Sequence, residues 1–521
     1  MVNFEWTSPV RRAPNRLLLS PIPNELYLKI FGFLEPSLET SPSESNATLS
    51  NLAKVCRFFC VYAISRMYRS LDLSGELDEG ATSNGHNALC GLLAKGETYA
   101  SSGRPLDDSM ELALQVASFV EECTFRDWQS SKPERLMPMA DAFLARNARA
   151  VRRLPKVTKI TLINTPLTGP LIQMAYKLRS TLTTLCIHQC PLPQPLSQDE
   201  RARLSKLTLS SLEFFSGALT TPFDFPPDTL RLQNLVTFKT DSAQLREYFF
   251  RRPHPMLRCL ELDDMQLSEM PLFFHRLQNS PALTNLSILN VTILRSEDDD
   301  PPKVQKFADV ALPTLETLSI PALLLDSCLC PTVRKLSVLG TQSDLCAPGA
   351  IAFAAAGIHS RLPLRTFPSL SRTSITPRQL TTSCLTELHI PQPIYLSIPI
   401  HKNLPTLEVL VLSWCHLNFN WPPRKAIHHQ GIIESLSGKG VFPRLRELRL
   451  ELFHGFSDEY ADYMNWDLAK ERSLITGHLS MMFPRLMFFT RTPVFIWERS
   501  GDNARWNVII PHQYKKLVNS R

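Results

Sequence analysis

From about residue 157 onward a short apolar pattern, L-x-x-L-x-[L/I], recurs along the chain. Its first positions are Val157, Leu182, Leu209, Leu235, Leu257 and Leu283, with gaps of 25, 27, 26, 22 and 26 residues. It continues less evenly at Leu315, Val333, Leu364, Leu385, Leu407, Leu445 and Leu486, and the Leu235, Leu364 and Leu486 copies are degenerate. Apolar residues two apart predict a strand with one buried face. Between these strands the period changes. In residues 267–280, Met270, Phe273, Phe274 and Leu277 stand three or four apart and so share one helical face. Residues 242–250 and 168–178 behave alike. The cadence of strand, turn, helix and strand predicts an α/β fold with parallel strands, in which stacking hides apolar faces that no single unit can hide.

Two copies extend to L-x-x-L-x-L-x-x-C-x-L: Leu182, Leu185, Ile187, Cys190, Leu192 and Leu407, Leu410, Leu412, Cys415, Leu417. Residues 157–167, 257–267 and 283–293 keep every apolar position without the cysteine. This resembles leucine-rich repeats, whose period of about 20–29 residues covers these gaps. The expected architecture is an irregular leucine-rich-repeat solenoid over 151–500. Three stretches depart from it. Residues 296–302 (SEDDDPP) predict a solvated acidic loop, 341–382 hold one alanine-rich helix and one poor copy, and 76–150 lack the pattern. The last stretch, helical over 112–120, is expected to be a linker or an N-terminal cap. Residues 1–20 are expected to be flexible, and 501–521 to form a basic tail.

Residues 21–75 differ. Leu26, Ile30 and Leu34 form one stripe at i, i+4 and i+8, with Pro23 where a helix start tolerates it. Leu49, Leu52, Ala53 and Cys56 form a second stripe, and Phe59, Tyr62, Ala63 and Met67 a third. Three such short helices enclose little core, which leaves apolar surface for a partner. Three ordered blocks resemble the F-box family. Its opening L-P-x-E-[L/I]-x-x-x-I-[F/L]-x-x-L is met by Ile22, Pro23, Glu25, Leu26, Ile30, Phe31 and Leu34. Its middle L-x-x-V-C-[K/R]-x-[W/F] is met by Leu52, Val55, Cys56, Arg57 and Phe59, and its close is approached by Met67, Tyr68, Leu71 and Leu73. The resemblance implies docking to a Skp1-type linker protein and through it to a cullin, with Ile22, Pro23, Leu26, Ile30, Phe31, Leu34, Leu52, Val55, Cys56 and Phe59 as docking residues. It also implies that the repeats hold a protein to be ubiquitinated. The linker over 35–48 is longer than the family's and is expected to loop out, and Phe59 and Tyr68 stand where tryptophans are frequent.

Composition narrows the function. The 521 residues carry 56 basic and 49 acidic side chains, a net charge of +7, with small basic clusters only at Arg11, Arg12 and Arg16 and at Arg505, Lys515, Lys516 and Arg521. Without a basic stripe, nucleic acid is not an expected ligand. The 12 cysteines include no C-x-x-C pair, the first 25 residues lack a secretory apolar core, and the most apolar run, 347–358, is too short to span a bilayer. The chain is accordingly read as intracellular, cytoplasmic or nuclear, without membrane association.

Catalytic chemistry finds no foothold. H-E-x-x-H, G-x-S-x-G and the phosphate loop are absent, and Gly438-Lys439-Gly440 is a lone glycine turn. His428 and His429 are poorly placed to share one metal, and Trp421-Pro422-Pro423 reads as a rigid turn. Cys190 and Cys415 occupy the turn-packing position, and His416 points to the opposite face from Cys415. No enzyme activity, cofactor or metal is expected. Alternation along the strands offers a client surface on their open face: Lys159, Thr161, Thr184, His188, Glu261, Asp263, Glu447, Arg449 and Glu451. The sequence thus predicts the substrate-recognition adaptor of an SCF-type ubiquitin ligase. A repeat scaffold with no ubiquitin-ligase role, its N-terminal helices serving as a cap, is the competing reading.

Overall fold

The computed structural model describes residues 26–27, 29, 42–75, 81–103, 105, 107–128, 137–191, 195–216, 230–292, 312–321, 324, 332–339, 384–391, 404–415, 436, 442–453, 468–492, 495–501 and 504–510. The chain divides into two compact units, Met1–Phe249 and Phe250–Arg521.

In the first unit, helices α1 (Pro42–Ala53) and α2 (Arg57–Met67) lead into strand β1 (Ser70–Ser74). Helices α3 (Ala81–Ser101) and α4 (Asp108–Ala117) precede β2 (Glu122–Arg126), and α5 (Met137–Val151) precedes β3 (Lys159–Ile163). The cadence continues through α6 (Gly169–Lys177), β4 (Thr184–His188), α7 (Gln198–Leu204), β5 (Ser211–Phe215), β6 (Thr237–Thr240) and α8 (Ala243–Phe249). Strands β1 to β6 pair in chain order, all parallel. Helix starts follow their chemistry. The Asp107 side chain accepts from the Met110 amide at 2.8 Å, Ser197 and Glu200 form a reciprocal capping box, and Pro170 opens α6.

The parallel sheet begins earlier than the leucine pattern predicts. β1 and β2 fall within 70–126: β1 buries Leu71 and Leu73, and for β2 Val120, Cys123 and Phe125 fill the three apolar positions, fully or almost fully buried without a leucine among them. The helix predicted over 112–120 is observed as Asp108–Ala117, starting at the Asp107 cap. The loop expected over 35–48 is shortened, since α1 already begins at Pro42, where a proline suits a first turn.

The second unit starts with β7 (Cys259–Leu262) and the short β8 (Met265–Gln266), then α9 (Met270–Leu277), β9 (Asn285–Ile288) and the short β10 (Val291–Thr292). Strands β11 (Thr317–Pro321), β12 (Lys335–Leu339), β13 (Glu387–Pro391), β14 (Val409–Cys415) and β15 (Glu447–Phe453) follow. β7, β9 and β11 to β15 form a parallel ladder in that order, while β8 pairs with β10. Helix α10 (Leu468–Leu474) precedes β16 (Phe488–Thr492), β17 (Phe495–Glu498) and β18 (Asn507–Ile509). β16 joins β15 in parallel, but β17 and β18 run antiparallel, so the stretch expected to be a basic tail contributes a strand. The Arg499 guanidinium, buried here, donates to the carbonyls of Leu486 and Pro484 and lies over the Trp506 ring at 5.2 Å.

Apolar burial holds both units. The first positions Val157, Leu182, Leu209, Leu235, Leu257, Leu283, Leu315, Val333, Leu385, Leu407, Leu445 and Leu486 are all 2% exposed or less. Each such side chain contributes about 1.5–3 kcal/mol. Aromatic rings fill the wider gaps: Phe238 stacks on Phe249 at 4.2 Å in the first unit, and Phe250 meets Phe273 edge-on at 5.2 Å in the second. The predicted face of α9, Met270, Phe273, Phe274 and Leu277, is buried throughout.

Hydroxyl and turn contacts repeat with the strands. Thr183 Oγ1 donates to the Thr158 carbonyl at 3.2 Å and Ser210 Oγ to the Thr183 carbonyl at 3.2 Å, while Thr284 and Thr386 make the equivalent bonds in the second unit. After the strands, Asp127, Asn164, Gln189 and Asp264 adopt φ near +50°, a region where Asn and Asp are enriched. The Asn164 side-chain amide donates to the Asp127 carboxylate at 3.0 Å. One residue further, Thr165 is wholly buried and its hydroxyl contacts the Ile163 and Phe125 carbonyls at 2.8 and 3.1 Å. It occupies the cysteine position of the longer pattern. Trp128 holds the same position one repeat earlier, its indole N–H donating to the Leu73 carbonyl at 2.8 Å. Cys190 holds it one repeat later, its thiol donating to the His188 carbonyl at 3.3 Å.

Candidate protein-interaction surfaces

The N-terminal helices close on an aromatic cluster. Tyr27, Leu49, Phe58, Tyr62 and Ala63 are buried together, with Leu52, Ala53, Cys56, Phe59 and Met67 packed against them. The rings of Tyr27 and Phe58 are 5.3 Å apart, those of Tyr27 and Phe59 6.0 Å, and those of Phe58 and Phe59 5.8 Å. Tyr27 and Phe58 are the residues that the stripes missed. On α2, Phe58, Val61, Tyr62 and Ala63 are all buried, and a helix apolar around most of its circumference gives periodicity little to report.

Two of the residues expected to dock remain at the surface: Leu26 is 48% and Val55 64% exposed. Each neighbours a member of the cluster in sequence, Tyr27 and Cys56. Leu52, Cys56 and Phe59 are half-buried and belong to the cluster itself, so they hold the module together before they touch any partner. Ile22, Pro23, Ile30, Phe31 and Leu34 lie outside the described residues.

On the open strand face of the first unit, the register places Lys159 beside Thr184, Thr161 beside Cys186 and Ile163 beside His188. Charges there meet each other: Arg126 and Asp72 at 3.4 Å, Lys159 and Glu122 at 3.6 Å, and Glu213 with Lys239 at 3.2 Å and His188 at 3.6 Å. Such half-exposed pairs are each worth about 0–1 kcal/mol. Their effect is to leave a mixed, largely neutralised face. Cys186, whose strand position faces the same way, is buried, and desolvation pushes its thiol up to about 11. Cys190 is likewise raised by burial to about 11, in keeping with a packing thiol.

In the second unit Glu447 and Arg449 pair with each other at 2.5 Å. Burial works against the Glu387 carboxylate, but Lys335 at 2.8 Å and His389 at 2.9 Å outweigh it and hold the group below its ordinary range. Asp263 departs from the expectation of an open-face contact. It lies beyond the end of β7, where its carboxylate accepts from Asn290 Nδ2 at 2.7 Å and from the Asp264 amide at 2.8 Å, so it secures a turn. Glu261 is half-buried on β7, and Glu451 is paired in register with Ser413.

Cys415 ends β14, whereas His416, Gly438, His428, His429 and Trp421 lie outside the described residues. Among the described residues no group of three or more His, Cys, Asp or Glu is placed to hold a metal ion, and no helix is long and apolar enough to cross a membrane. No protein-family model matches the chain, and a search of curated proteins returns no match.

Proposed function

We propose that the chain is a non-catalytic adaptor of an SCF-type ubiquitin ligase. The N-terminal module docks a Skp1-type linker protein, and a leucine-rich-repeat solenoid holds the client. The observation that carries the proposal is the exposure of Leu26 and Val55: these large apolar residues come from two of the three F-box-like blocks and stand beside a closed aromatic cluster. Exposed apolar side chains next to a rigid core make suitable anchors for a partner surface. The parallel ladder, with its buried leucine positions, supports the repeat reading of the rest. Ile22, Pro23, Ile30, Phe31 and Leu34 complete the docking surface in this reading. The mechanism is proximity: holding client and transfer machinery together raises their effective concentration, while bond-making takes place on other subunits.

The test is co-purification of the full-length chain with a purified Skp1-type protein and cullin, beside Leu26→Asp, Val55→Asp. Both substituted side chains are exposed, so the variant keeps its fold and its thermal midpoint. Retention by the intact chain and loss by the variant is the expected result. A folded intact chain that retains neither protein would leave a repeat scaffold whose N-terminal helices act only as a cap.

A further inference from the structure

The basic residues that look dispersed along the chain are not evenly placed. Residues 142–198 contain eight Lys or Arg and no Asp or Glu. The rest of the chain therefore holds 48 of the 56 basic and all 49 acidic residues, so this 57-residue stretch more than accounts for the net charge of +7.

The fold gathers much of that charge onto one edge. In a parallel ladder the C-terminal ends of the crossover helices and the starts of the following strands lie at the same edge. Arg149 in the last turn of α5 and Lys156 before β3 sit there, as do Lys177 at the end of α6 and Arg179 before β4. Lys206, between α7 and β5, extends the row, and all five side chains are exposed. One repeat earlier the same edge carries Glu121 and Glu122, already paired with Arg69 at 2.9 Å and Lys159 at 3.6 Å. A cation at a helix C-terminus offsets the helix dipole, which explains about one basic residue per helix. It does not explain three consecutive helix-to-strand connections, 152–158, 178–183 and 205–210, none of which contains an acidic residue.

We propose that this edge of the first unit binds an acidic segment of a partner protein. The ligand chemistry is a short run of carboxylates. Neighbouring strands lie about 4.8 Å apart and neighbouring helices about 10 Å, so three connections span roughly 10–20 Å, the length of a few extended residues. A nucleic acid fits less well. Single-stranded nucleic acid gains affinity by stacking bases on open aromatic rings. Tyr176, at this edge, already has Arg179 over its ring at 4.5 Å and Lys206 at 5.6 Å. The proposal goes beyond the docking role of the N-terminal module and stands whether or not that module binds a linker protein.

The test uses the full-length chain and two fluorescent probes, a peptide of about ten glutamates and a single-stranded oligothymidylate of equal charge, titrated at several salt concentrations. Peptide binding that weakens with salt is expected. Lys156→Gln, Lys177→Gln, Lys206→Gln should weaken it about tenfold or more, because three cationic contacts are lost together. The triple Lys→Arg variant should restore it. As a control, Arg258→Gln, Arg334→Gln, Arg444→Gln removes the same charge from exposed residues that precede strands of the second unit, where Glu316 and Glu408 are interspersed, and should leave binding unchanged. Absence of peptide binding at low salt, or an equal loss in the control, would overturn the proposal. So would tighter binding of the oligothymidylate that the same lysine substitutions abolish, because the edge would then be a nucleic-acid surface.

Discussion

Replacing Thr165 by valine removes a hydroxyl and nothing else of similar size. That hydroxyl is wholly buried, 2.8 Å from the Ile163 carbonyl and 3.1 Å from the Phe125 carbonyl, and it ties β3 to the preceding strand. The Ile163 carbonyl retains the Asp127 amide at 3.0 Å, so the substitution costs hydrogen bonds without stranding that group entirely. The one hydroxyl proton is shared between the two carbonyls, so the substitution loses one three-centre bond and sets a methyl against buried carbonyls, an expected destabilisation of about 2 kcal/mol. Local exchange is the suitable assay, because a chain of two units does not promise one cooperative transition. Amide hydrogen exchange over β2 and β3 in the full-length Thr165→Val chain should accelerate about 30-fold, since 1.36 kcal/mol is a factor of ten. Thr165→Ser keeps the donor and loses one buried methyl group, about 1 kcal/mol, so its acceleration should stay near fivefold. Unchanged protection in Thr165→Val, or a greater loss in Thr165→Ser, would refute the view that the hydroxyl stitches the repeats together.

Two further predictions follow from close contacts and burial. Gly75→Ala would place a Cβ 2.5 Å from the Asp127 carbonyl oxygen and 2.8 Å from Trp128 Cα, both backbone atoms, so β1 and β2 must separate. A loss of about 1–3 kcal/mol is expected, seen as faster amide exchange across β1, and unchanged exchange would contradict the packing described. Cys190 should resist alkylation at neutral pH while the exposed Cys384 reacts readily, as mass spectrometry of native protein can show. Because burial raises the Cys190 thiol from 9.0 to about 11, its contribution to stability is intact below pH 9 and is lost as pH rises from 9 toward 11. A stability profile flat over that interval would count against it.

Much of the fold was legible because one side-chain type marks one position. Leucine or valine recurs wherever a strand enters the core, so spacing alone located β3 to β7 and most later parallel strands. Helices α6, α8 and α9 were legible for a related reason, as their apolar residues keep to one face. The signal failed where chemistry substituted for leucine. β2 presents Cys123 and Phe125, β1 carries Leu71 and Leu73 inside the F-box-like block, and the turn position that a cysteine marks elsewhere is filled by Thr165 and Trp128, whose donors reach the same kind of carbonyl. β17 and β18 escaped because short antiparallel strands carry no repeat. Among candidate site residues, Leu26 and Val55 could be named from the motif, but only packing separates them from Leu52, Cys56 and Phe59, which serve the module's own core. Asp263 was misplaced by alternation carried one residue past the strand's end. The basic edge was hidden by counting charge over the whole chain, although the acid-free stretch 142–198 was there to be read.

The central claim is that the N-terminal module presents a docking surface for a linker protein, and a calorimetric titration of purified full-length chain with a Skp1-type protein tests it most directly. Saturable binding at one-to-one stoichiometry is predicted. Leu26→Asp or Val55→Asp should each weaken it by about 2 kcal/mol or more, roughly 30-fold, with no change in thermal midpoint. No heat of binding from a chain shown to be folded, or equal binding by both variants, would contradict the account and leave the module as a cap on the strand ladder.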